Sequence, residues 1–206
     1  HWQPLAAACM GLTAGTSTIY LSNLFRQRLI DEFGWSRSQF ALIGLTTMVS
    51  VVFLPVAGRL ADRHGMRRIA LVGVIGLPLV LVSLALQTGS FAVFFILSTL
   101  QMLIQSALSG TIVYGRLLVR KFDRARGLAL GIANCAPALS TAILSPFLGE
   151  FIEEHGWRAG YILFAACVAA LGSAALLAVP RSFDDRDRRP ARARAARTDY
   201  AELFRS

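Results

Sequence analysis

Polar side chains recur at helical spacing inside otherwise apolar stretches, and they are the groups in this chain that could bind a solute. Thr13, Thr16, Tyr20 and Asn23 fall within about 80° of one another on a helix. Their hydroxyl and amide groups suit hydrogen bonds to a small organic acid, beside an aromatic wall from Tyr20. The same face also fits ordinary hydrogen bonding between helices in a membrane.

A second polar row lies further along the chain, within about 80° on a helix. Its members are Ser98, Gln101, Gln105, Ser109 and Arg116. A narrow polar stripe on an apolar helix must face protein or a water-filled cavity rather than lipid. Arg116 could attract an anion, extend its guanidinium to the membrane interface, or pair with an acid such as Asp123.

A third face combines Asn134, Pro137, Thr141 and Ser145. Asn134 and Thr141 are further candidates for a solute cavity, whereas packing between helices is the simpler interpretation of this face. Pro137 leaves a backbone carbonyl without its helical partner, so it indicates a bend.

Signatures of catalysis and of metal binding are missing from the sequence. It contains no H-E-x-x-H, no G-x-S-x-G and no phosphate-binding glycine loop. Cys9, Cys135 and Cys167 stand far apart, without a C-x-x-C pair, and are interpreted as apolar residues. We therefore predict no enzymatic activity, no catalytic residues, no metal site and no cofactor.

Composition indicates what surrounds these residues. Of the 206 residues, 55% are hydrophobic and only 16% are charged, against roughly 25% charged in soluble domains. Such a chain cannot cover a soluble surface, so it predicts a membrane protein with the lipid bilayer as a partner. The net charge of +9 then reflects how basic residues are distributed between the two sides of the membrane, and we expect no nucleic-acid partner.

Six stretches approach the roughly 20 apolar residues that a spanning helix needs. They lie at about 4–25, 40–58, 69–87, 91–114, 128–148 and 159–179. Alternating strand patterns are absent. We predict an all-α membrane protein, with a six-helix bundle over residues 1–180 and a basic tail over residues 181–206.

Basic residues divide unevenly between the two sides of such a bundle. Two connections and the tail hold 17 of the 21 Lys and Arg residues, and the opposite side holds four. The positive-inside rule therefore predicts that both termini and the two basic connections are cytoplasmic. The outer connections are expected at 31–38, 88–90 and 150–158. Abundant Arg and Ala favour a bacterial cytoplasmic (inner) membrane as the location.

The first basic connection carries a specific motif. Residues 58–68 read G-R-L-A-D-R-H-G-M-R-R, which resembles the loop G-x-L-x-D-R-x-G-x-R-R between the second and third helices of the major facilitator superfamily. The matching residues are Gly58, Asp62, Arg63, Gly65, Arg67 and Arg68. The resemblance implies that Asp62, expected just after a helix end, latches the cytoplasmic side of a transporter. A simple loop salt bridge is the alternative.

Other segments resemble one branch of that superfamily. The runs K-F-D-R-A-R-G-L-A-L-G at 121–131, G-W-R at 156–158 and F-G-W-S-R-S at 33–38 are similar to monocarboxylate-transporter-like and oxalate/formate-exchanger-like proteins. Members of the superfamily have two six-helix halves, each with two inverted three-helix repeats. The chain resembles the amino-terminal half and its linker.

The resemblance implies a half of a secondary active transporter. Its solute would be a small organic anion, such as a monocarboxylate, moved by alternating access against a second six-helix half. That half could be a continuation of the chain, a separate subunit or a second copy in a homodimer. The alternatives are a non-transporting membrane interaction or regulatory protein, and a truncated transporter fragment.

Overall fold

The computed structural model describes residues 2–64, 66–108, 118 and 126–178, and over these ranges it is helical without strands. In chain order the helices are α1 (Trp2–Phe33), α2 (Arg37–Leu42), α3 (Gly44–His64), α4 (Met66–Ala85), α5 (Phe91–Leu108) and α6 (Arg126–Ala178). Long apolar runs with few internal breaks account for these elements, because a helix satisfies its own backbone hydrogen bonds.

Helix α1 runs eight residues beyond the predicted span, so Asp31 and Glu32 are helical rather than part of a loop. It ends where Gly34 takes a φ of 65°. The Gly34 amide donates to the Ile30 carbonyl at 2.9 Å, which is the left-handed helix ending that glycine permits. The chain then turns through Trp35 into α2.

Helix α6 contains 53 residues and a single break in its backbone at Gly156, where φ is 83° and ψ is 160°. We call residues 126–155 the first arm and residues 157–178 the second arm. The connection expected at 150–158 is therefore helical except at this glycine. The chain reverses there because glycine alone tolerates these angles readily.

The motif at 58–68 differs from its predicted form. The expectation that Asp62 follows a helix end is wrong, because α3 continues to His64. Helix α4 begins at Met66, so little of the motif is an irregular loop.

The bundle is held together mainly by α1, α4 and α6. Helix α1 packs along both arms of α6, α4 packs against α6 and α5, and α3 leans on α5. The two arms of α6 approach each other closely where Gly160 faces Ile152, because glycine has no side chain. A Cβ built on Gly160 would lie 2.5 Å from Cγ1 of Ile152. Phe25 and Tyr161 stack beside this point with ring centroids 4.0 Å apart.

Among the described residues, two helices are long and apolar enough to cross a membrane. They cover Arg68–Ala85, with mean hydropathy 2.3, and Gly127–Ala178, where an 18-residue window has mean hydropathy 2.2. Shorter apolar helical stretches occupy Leu5–Leu21, Gly44–Phe53 and Phe91–Gln105. The described chain thus consists of apolar helices whose lengths differ from the six predicted spans.

Candidate functional site

A cavity of about 270 Å³ lies between α1 and the two arms of α6. We call it the α1/α6 cavity. It is lined by Thr13, Ala14, Ser17, Leu21, Thr141, Leu144, Phe147, Leu148, Phe151, Leu163, Phe164, Cys167, Val168 and Leu171. All of these lining residues are uncharged. The predicted candidates Thr13 and Thr141, from the first and fifth apolar stretches, are thereby brought to one site.

Hydroxyl groups supply the polar part of the α1/α6 cavity. Ser17 donates its hydroxyl to the Thr13 carbonyl, one helical turn back. Thr141 is 7% exposed, and its hydroxyl has no hydrogen-bond partner among the described residues. Leaving a buried hydroxyl unpaired costs about 1–3 kcal/mol, so Thr141 is the conspicuous polar group of this cavity.

The polar row on α5 faces the interior of the bundle. Ser98, Gln101 and Gln105 are all buried. Ser98 and Gln101 line a cavity of about 90 Å³ together with Thr18 and Tyr161, which we call the α5 cavity. Hydroxyl and amide groups from three helices therefore meet at one place.

Gln105 reaches a third and much smaller space. This void of about 30 Å³ is walled by Gly11, Gly15, Gly73 and Gly172 together with small apolar side chains. A Cβ built on Gly172 would lie 3.0 Å from Cγ2 of Val74. The glycines here serve close helix packing, as expected for small residues between membrane helices.

The remaining helix-face candidates whose side chains are described do not line these cavities. Tyr20 is 49% exposed, and the Thr16 hydroxyl donates to the Leu12 carbonyl at 2.7 Å. Asn134 is exposed, and its amide donates to the Leu130 carbonyl at 2.8 Å. Ser109 and Arg116 lie outside the described residues, as does the side chain of Asn23.

The motif residues are only partly described. Gly58 lies within α3 and is half-buried, while Arg63 and Arg68 are exposed. Gly65 and the side chains of Asp62 and Arg67 lie outside the described residues. The geometry of the predicted latch therefore stays a prediction.

A charged and aromatic cluster joins the end of α1 to the break in α6. Arg158 donates from Nη1 to Glu32 Oε1 at 2.8 Å, and its guanidinium lies 4.3 Å from the centre of the Trp157 ring. Trp157 donates from its indole nitrogen to the other carboxylate oxygen of Glu32. The Trp157 hydrogen bond and, less strongly, Arg158 hold the pKa of Glu32 below its usual value, against a desolvation that raises it.

The same end of the bundle contains a second cross-link. Trp35 donates from Nε1 to the Gly89 carbonyl at 3.2 Å, which ties the α1–α2 connection to the turn between α4 and α5. Phe33 packs between the rings of Trp35 and Trp157. Trp35 and Trp157 thus hold together the connections at this end of the bundle.

Several buried polar residues escaped the sequence reasoning. Ser17, Thr18 and Tyr161 line the two larger cavities, and Gln87 is buried with an amide that lacks a partner among the described residues. The run T-S-T at 16–18 carried a signal for the first two, because Ser17 lies one turn after Thr13. Tyr161 was not predicted, since only the fold of α6 turns it inward.

The sequence fits the family model described as Major Facilitator Superfamily over residues 6–206. No curated protein matches the chain.

Proposed function

The chain belongs to the major facilitator superfamily, and we propose that it forms one six-helix half of a secondary active transporter. Membership implies a membrane protein that moves small solutes across the bilayer. The proposal adds the number of spans, the need for a second half, and the class of solute.

Six spans follow from dividing α6 at Gly156. At 1.5 Å per residue, the first arm is about 45 Å long and the second about 33 Å. Each exceeds the roughly 30 Å of a bilayer's hydrocarbon core. With α1, α3, α4 and α5 these arms are the six spanning helices that we propose, arranged as two inverted three-helix repeats.

The buried polar row on α5 is the observation that supports a solute pathway best. Ser98, Gln101 and Gln105 are buried in a helix whose other residues are mostly apolar. Polar side chains inside a membrane helix are energetically costly, and they often mark the path of a substrate or an ion. We propose that this row, continued by Ser109 and Arg116, lines the path of the solute.

Exposed apolar surface supports the need for a partner. On α3, Met48, Val51 and Val52 are 68%, 64% and 77% exposed. Lipid and a second six-helix half are the surroundings that such a surface fits. We propose alternating access between the two halves, with that second half supplied by a continuation of the chain, another subunit or a second copy.

A small organic anion, such as a monocarboxylate, is the proposed solute. Arg116 is the one cation of the polar row predicted from the sequence, so it would supply the charge that an anion needs. Cytoplasmic termini and a bacterial inner-membrane location are proposed from the distribution of basic residues.

Proteoliposome flux of labelled small carboxylates tests this function, with the chain alone and with any neighbouring half. We expect flux above empty liposomes for the complete assembly and a large loss in Gln101→Leu. Thr99→Val is the matched control, because its hydroxyl bonds to the Phe95 carbonyl of the same helix. No carboxylate flux by the complete assembly would contradict the proposed solute.

A further inference from the structure

The α1/α6 cavity differs chemically from the α5 row. Its lining contains no charged side chain and is mostly Leu and Phe, contributed by α1 and by both arms of α6. Burying an unpaired carboxylate in such surroundings costs far more than a hydrogen bond returns. An organic anion therefore does not fit this cavity, although Thr13 and Thr141 line it.

The size of the cavity suits a small ring or a short chain. An apolar cavity of about 150 Å³ lined by Leu, Ile and Phe holds benzene in another protein. The α1/α6 cavity, at about 270 Å³, has room for a ring with a substituent. A water molecule would need two to four polar partners, and Ser17 already gives its proton to the Thr13 carbonyl.

The hydroxyl of Thr141, unpaired among the described residues, indicates that a molecule bound in the cavity carries a polar group. Thr16, Ser83, Thr99 and Ser173 each donate to the carbonyl four residues earlier in their helix. The Thr141 hydroxyl makes no such bond and has no other partner among the described residues. Threonine adopts two side-chain rotamers in helices, so a rotation about χ1 can bring the hydroxyl to a molecule in the cavity.

We propose that the α1/α6 cavity is a binding site for a neutral, largely apolar small molecule that exchanges one hydrogen bond with Thr141. This site is separate from the anion pathway. The inference rests on the cavity itself and not on the proposed solute, so either one can fail without the other.

Cys167 provides a direct readout of occupancy. It lines the cavity and is exposed, whereas Cys135 is exposed on the first arm outside the cavity. Two single-cysteine proteins, one retaining Cys167 and one retaining Cys135, would be reacted with N-ethylmaleimide in lipid nanodiscs. We expect benzyl alcohol to slow labelling of Cys167 several-fold and to leave labelling of Cys135 unchanged.

Related probes separate the parts of the proposal. Thr141→Val should raise the benzyl alcohol concentration needed to protect Cys167 by about 2- to 10-fold, the range expected for one hydrogen bond. The same substitution should leave the concentration of toluene that protects Cys167 unchanged, because toluene lacks the hydroxyl. Benzoate should give no protection, because it carries a charge.

A substitution that fills the α1/α6 cavity tests whether the probe binds there. Leu144→Trp occupies the cavity from its exposed rim and should abolish protection by benzyl alcohol, while Leu139→Trp on the same arm lies outside the lining and should preserve it. Equal slowing at both cysteines, protection by benzoate, or protection that survives Leu144→Trp would overturn the proposal. Protection by all neutral probes with no change in Thr141→Val would reject the role of Thr141.

Discussion

Arg158 and Glu32 meet across 126 residues of sequence, with Nη1 of the arginine 2.8 Å from Oε1 of the carboxylate. This contact ties the end of α1 to the start of the second arm of α6, next to the break at Gly156. Trp157 adds its indole hydrogen bond to the same carboxylate. One acid thus holds both residues that follow the break.

Replacing Glu32 separates its charge from its hydrogen bonds. Both partners of the ion pair are partly exposed, so Glu32→Gln should lower the free energy of unfolding by only about 0.2–1 kcal/mol. Glu32→Ala should cost about 1–3 kcal/mol more, because the buried Trp157 loses its acceptor. Thermal unfolding in detergent measures both, with Glu150→Gln on the first arm as the control. Equal losses in the Gln and Ala variants would contradict this account.

The contribution of Glu32 should depend on pH. Its pKa in the folded protein is lowered from the ordinary value of 4.5, first by the Trp157 hydrogen bond and then by Arg158. A lowered pKa means that the stabilisation is complete above the ordinary value and is lost as the pH falls through the folded-state value. The difference in melting temperature between the native protein and Glu32→Gln should therefore shrink from about pH 7 to about pH 3. A difference that grows on acidification would be the wrong sign.

Gly89 should not tolerate a side chain. Its φ is 97°, and a built Cβ lies 2.5 Å from Cδ1 of Phe33. Gly34 also has a positive φ, of 65°, but a Cβ there meets nothing within 4 Å. We expect Gly34→Ala to cost about 1–2 kcal/mol from conformation alone and Gly89→Ala to cost clearly more.

Melting temperatures of these two variants isolate the contact with Phe33. A double variant, Gly89→Ala with Phe33→Leu, should recover part of the difference, since the shorter side chain relieves the clash. If Gly34→Ala were as damaging as Gly89→Ala, the contact with Phe33 would not matter.

Asp62→Asn should greatly reduce transport without reducing membrane insertion. The reason is the resemblance of residues 58–68 to the latch motif, in which the acid is thought to hold a neighbouring helix end. Labelled-solute uptake and the amount of protein in the membrane would be measured side by side, with Glu154→Gln as a control on another acid. Normal uptake by Asp62→Asn would end the latch hypothesis.

The sequence predicted the helical class of this protein from its apolar runs. It also anticipated the turn at 88–90 and the inward-facing row of Ser98, Gln101 and Gln105, because helical periodicity places residues on faces without reference to other segments. Helix ends were less predictable. Asp31, Glu32 and Asp62 looked like loop residues on account of their charge, yet helices extend through them.

Composition, charge and motif thus determined by themselves that the chain is an apolar helical protein and which superfamily it resembles, because those properties depend on local residue types. Only the tertiary structure decided which polar residues share a cavity. Thr13 and Thr141 meet because α1 packs along both arms of α6, while Tyr20 and Asn134 from the same predicted faces remain exposed. A helical face can be read from the sequence, but the neighbour that buries it is set by packing between segments far apart in the chain.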